Sequence, residues 1–86
     1  MQFKIFQMPK LFLHEAIAIV LLSKADRKAT IEEIAMEINQ RNLYQRKDAK
    51  GIPTYQIMQR TKLSKGQYHH LFEWLEPNTD KLRNLK

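Results

Sequence analysis

The sequence predicts a mainly α domain with a small β-hairpin, three helices followed by two strands, and three observations carry that prediction. Two stretches, from Leu11 to Lys24 and from Thr30 to Asn42, repeat apolar residues at three- and four-residue spacing, the period of a helix with one buried stripe. A third and shorter stretch opens at Pro53 and turns Ile57 inward. Beyond Leu63, aromatic residues alternate ahead of a cluster of turn residues. Eighty-six residues close one core, so residues 1–86 read as one domain.

Taken in order, residues 1–9 place Phe3 and Ile5 on one side of a short alternating segment, which admits a strand that Pro9 then stops. In the first helix Leu13, Ala16, Ile17, Val20 and Leu21 form the inner stripe. Phe12, Ile19 and Leu22 make its other flank apolar too, which places this helix centrally, with Phe3, Ile5 and Phe6 covering one side. Ala25 to Ala29 is a polar connection. Thr30 and Glu33 then have the spacing of a capping box, with the hydroxyl and the carboxylate each accepting from the other's backbone amide. Ile31, Ile34, Ala35 and Ile38 form the buried stripe of the second helix, and Arg41-Asn42 ends it with a cation and a left-handed cap.

Leu43 to Ile52 reads as a basic loop, and Tyr44 as a side chain packed beneath it. Pro53 belongs in the first turn of the third helix, Thr54 to Lys62, with Thr54 or Ile52 as its cap. At 100° per residue, Tyr55, Gln59 and Lys62 face away from Ile57, with Gln56 and Arg60 on the flank. Tyr68, His70, Phe72 and Trp74 alternate as a strand, Glu76 to Asp80 is turn chemistry, and Lys81 to Leu85 returns as the second strand. The alternative for residues 64–75 is a helix capped by Ser64. Aromatic content and Gly66 favour the hairpin.

Composition narrows the function. The chain is 43% hydrophobic and 28% charged, the balance of a folded domain rather than a disordered one. Without cysteine it has neither disulfides nor thiolate metal sites. The longest apolar run, Ala16 to Leu22, is far shorter than the roughly 20 residues of a membrane span. Met1 to Phe6 lacks the pattern of a signal peptide, so the chain reads as cytoplasmic. There is no Gly-rich phosphate loop and no histidine-paired nucleophile, which reads as a non-enzymatic protein without a cofactor. His14, His69 and His70 read as structural or surface histidines rather than a metal site, because neighbours in a strand point to opposite faces.

The net charge of +6 is concentrated. Arg41, Arg46, Lys47, Lys50, Arg60, Lys62 and Lys65 face Asp48 alone in residues 41–65, and the remaining charges cancel. Such a stretch is the electrostatic signature of a polyanion binder. Gln56 and Gln59 have the amide that pairs with adenine, and Arg60 suits guanine or phosphate. Arg46, Lys47 and Lys50 on the loop, with Lys62 and Lys65, suit phosphates, and Tyr55 lies on the same outward helix face. Duplex DNA is the expected partner, ahead of RNA, for which the sequence lacks an aromatic stacking signature. The alternative is a protein-interaction or homodimerisation module that docks through the first helix or Trp74.

Three helices and a hairpin describe a winged helix. Its spelling resembles the HARE-type helix-turn-helix family over residues 11–76. The residues that carry the likeness are His14-Glu15-Ala16-Ile17 with Val20-Leu21, Thr30 and Glu33-Ile34 with Ile38, Asn42 to Asp48, Ile52 to Ile57, and Tyr68 to Phe72. The resemblance implies a DNA-binding or DNA-adaptor module of transcription regulation, with its third helix and wing facing nucleic acid. Two departures stand out: Asp26-Arg27-Lys28-Ala29 replaces the family's Gly-Pro-type turn, and the acidic tail of the family's RNA polymerase delta subunits is absent.

Overall fold

The computed structural model describes residues 11–44, 46, 51–63 and 67–83. The elements run α1 (Leu13–Leu22), β1 (Lys28–Thr30), α2 (Ile31–Arg41), α3 (Thr54–Thr61), β2 (Phe72–Leu75) and β3 (Thr79–Leu82). Three helices and a small antiparallel sheet thus form the winged-helix layout that the sequence predicts.

Helix α1 buries Leu13, Ala16, Ile17, Val20 and Leu21, the stripe read from its periodicity. It packs on α2, α3 and β3. Phe12 and Leu22 stay exposed. The residues expected to cover that flank, Phe3, Ile5 and Phe6, lie outside the described residues, as does the strand expected within 1–9. The helix ends at Leu22, two residues before Lys24, where the Ser23 hydroxyl donates to the Val20 carbonyl. In α2 the Thr30 hydroxyl accepts from the Glu33 amide at 3.1 Å, and the Glu33 carboxylate accepts from the Thr30 amide at 3.0 Å. Asn42 closes α2 in the left-handed region, φ 54°. Both ends of α2 agree with the capping chemistry read from the sequence.

The sheet corrects three readings. Residues 25–29 were expected to be a connection only, but Lys28–Thr30 form a third strand, giving the order β1-β3-β2. Arg27 reaches it through a left-handed backbone, φ 56°, and its carbonyl accepts from the Leu82 amide at 2.8 Å. Next, Tyr68 and His70 are not strand residues. The Tyr68 carbonyl accepts from the Leu71 and Phe72 amides, which closes a turn and delays β2 until Phe72. Finally, the return strand begins at Thr79 rather than Lys81 and ends at Leu82. Asp80, expected in the turn, therefore lies inside β3, between Ala29 and Trp74 in the register. Leu85 lies outside the described residues.

Leu13, Ile17, Leu21, Ile34, Ile38, Ile57 and Phe72 form the centre of the core, with Leu43, Tyr44 and Trp74 packed against it. No helix among the described residues is long and apolar enough to cross a membrane.

Candidate nucleic-acid interface

The start of α3 is held by a residue of α2. Asn39 Nδ2 donates to the Ile52 carbonyl at 3.2 Å, and Asn39 Oδ1 accepts from the Ile52 amide at 2.8 Å. Both backbone groups of Ile52 are thereby held by one side chain, and the Ile52 side chain is buried. Pro53 becomes the N-cap at φ −82° and ψ 158°, not a first-turn residue, and neither Thr54 nor Ile52 supplies a side-chain cap. Gly51 passes so close to Asn39 that a Cβ there would lie 3.0 Å from Nδ2. A side chain at residue 51 would therefore press on the very amide that holds Ile52.

Helix α3 buries Ile57 and Thr61. Opposite them Tyr55, Gln59 and Lys62 are exposed, with Gln56 and Arg60 half-buried on the flank. This is the arrangement that the 100° rotation predicts. Tyr55, Gln59, Arg60 and Leu63 line one shallow depression. Arg46 lies near the start of the helix, where its Nη1 donates to the Gly51 carbonyl at 3.4 Å. Lys47, Lys50 and Lys65 lie outside the described residues.

Lys62 is shared between two tasks. Its ammonium sits 4.8 Å from the centre of the Trp74 ring and 3.5 Å from Glu76 Oε2, to which Trp74 Nε1 also donates at 2.9 Å. Lys62 thus ties the end of α3 to the wing, a contact that sequence spacing does not reveal. The same network occupies the indole edge that a partner would need at Trp74. Arg60 lies over the Tyr68 ring, 5.8 Å from its centre. Tyr68 in turn stacks on His14 at 4.4 Å, and His14 on Phe12 at 5.9 Å.

His14 is therefore a stacking residue. His69 Nε2 lies 3.2 Å from the Lys62 carbonyl, and His70 is exposed in the turn rather than in a strand. Among the described residues no group of three histidine or acidic side chains is placed to hold a metal ion.

Behind the interface lies a carboxylate that the sequence reading missed. Asp80 is fully buried, and burial raises its pKa from 3.8 to about 6. The nearby Thr61 hydroxyl pulls the other way. That hydroxyl donates to the Ile57 carbonyl at 3.1 Å instead, which leaves both Asp80 oxygens without a hydrogen-bond partner among the described residues.

Comparison of the chain with family models, with curated proteins and with solved structures finds no match.

Proposed function

We propose that the chain is a cytoplasmic, non-enzymatic winged-helix domain that binds duplex DNA, as a small transcription regulator or as the targeting module of a larger system. The observation that carries this reading is the outward face of α3. A helix anchored on Ile57 presents Tyr55, Gln59 and Lys62 to solvent with Gln56 and Arg60 beside them. That face falls within the one stretch that carries the whole net charge of +6. An exposed helix with amide and guanidinium groups suits base edges in a major groove, and the neighbouring loop cations suit phosphates. The sequence resemblance to HARE-type domains points the same way.

The test is duplex binding at low salt by the native chain and by a variant with Arg46, Lys47, Arg60 and Lys62 all changed to alanine. Native affinity should fall steeply with added salt, and the variant should lose most of it, with its logarithmic salt slope reduced by about 3. Undiminished binding by the variant would end this reading.

A second reading, a docking module for a partner or a second copy, draws on Leu22, which is 57% exposed at the end of α1. Sedimentation at several concentrations separates the two. A monomer throughout argues against self-association, and a dimer that Leu22→Asp dissolves argues for it.

A further inference from the structure

Four groups from three separate parts of the chain line up along one flank of the domain. Phe12 and His14, at the start of α1, stack at 7° between ring planes. His14 and Tyr68, from the turn before β2, stack at 22°. Arg60, from α3, covers the Tyr68 ring. The order is ring, ring, ring, cation. At the far end the Phe12 ring meets His14 and the residue is 68% exposed. At the near end Arg60 also lines the depression that holds Tyr55, a second exposed ring.

An aromatic ring this exposed does little for the core, since the apolar area it leaves in water contributes no burial energy. Near-parallel stacking does, however, offer a flat surface for one more planar group. Nucleobases are planar, and every base has a face that stacks on an aromatic ring, whatever its identity. A cation at the other end of the same ladder, inside the basic stretch of the chain, suits a phosphate further along the same strand. An aliphatic or acidic protein segment would match only one of these two features.

We propose that this ladder is a stacking platform for an unpaired base of single-stranded DNA, with the base on the exposed Phe12 ring and the strand running past Arg60 toward Tyr55. The proposal rests on the nucleic-acid reading above for its polyanion. It adds a second mode of contact, to melted or single-stranded segments, on a surface distinct from the outward face of α3 except at the shared Arg60 and Tyr55.

The test uses the full chain, a labelled oligothymidylate and a labelled random duplex, with 2-aminopurine in the single strand to report stacking. Phe12→Ala and Phe12→Leu should each weaken single-strand binding about tenfold, the order one base–aromatic stack contributes, and abolish the change in 2-aminopurine fluorescence. Both should leave duplex binding and the unfolding midpoint unchanged, because Phe12 is exposed. Phe12→Trp should restore single-strand binding. The proposal is overturned if the native chain does not bind the oligothymidylate, if the alanine and leucine variants bind it as the native chain does, or if they lose duplex binding to the same degree. It is also overturned if the native chain is a dimer that Phe12→Ala dissolves, which would give the ring to a second copy. Failure of the duplex reading looks different: the fourfold alanine variant would keep its duplex affinity whatever residue 12 does.

Discussion

Asp80 is placed against its own chemistry, a carboxylate fully buried in the middle strand of the sheet, and among the described residues neither oxygen is left with a hydrogen-bond partner. Its pKa is raised to about 6, so between 3.8 and about 6 the folded chain holds the proton more tightly than the unfolded chain does. Stability accordingly falls as pH rises through that window, and the cost is fully present above it. The difference between the two values corresponds to about 3 kcal/mol at most. Asp80→Asn should remove this dependence. Urea unfolding of both proteins at pH 4 and pH 8 should show the asparagine variant gaining on the native chain by about 1–3 kcal/mol as pH rises. A constant difference would mean that Asp80 has the same pKa in the folded and unfolded chain. Arg27 is the second residue under local constraint, since its φ of 56° is a conformation that side chains disfavour. Arg27→Gly should be neutral or stabilising by up to about 1 kcal/mol, whereas Arg27→Val should cost about 1–2 kcal/mol. Thermal unfolding of the pair checks the contrast.

At the scale of elements, legibility followed the range of the interactions. Helix α2 was readable to within a residue because its signals are local: Thr30 with Glu33 at one end, Asn42 at the other. The inner stripe of α1 and the outward face of α3 were readable because periodicity reports burial directly. The strands were not. Three residues, Lys28 to Thr30, are too few to show a period, and their state is decided by pairing with Thr79 to Lys81 far along the chain. The Tyr68 turn was mistaken for strand because aromatic alternation does not show where a carbonyl captures two following amides. Nor did any local signal mark Asn39, whose partner Ile52 is 13 residues away. Losing that amide should free both Ile52 backbone groups and loosen the start of α3. Asn39→Ala should therefore cost about 1–3 kcal/mol, and Gly51→Ala should cost part of the same amount by displacing the amide. Hydrogen exchange gives the sharper check: amides of Gln56 and Ile57 should exchange faster in both variants while those of α2 stay protected. Unchanged exchange in α3 would show that Asn39 does not position the helix.

For the whole molecule, the winged-helix layout sets Arg46, Arg60 and Lys62, the described cations of the stretch apart from Arg41, on and beside α3. Helix α3 is fixed at its start by Asn39, along its length by Ile57, and at its end by the link from Lys62 to Trp74 and Glu76. The sequence reading found the charged stretch and the outward side chains. It could not find the ladder from Phe12 to Arg60, because its members are brought together only by the fold. The central claim is that α3 and its basic loop contact duplex DNA. A backbone amide chemical-shift titration with a random duplex tests it most directly. The account predicts perturbations concentrated on Arg46, Gly51 and residues 54–62, fading as salt is added. Perturbations confined to α2 and β1, or none at low salt, would contradict it.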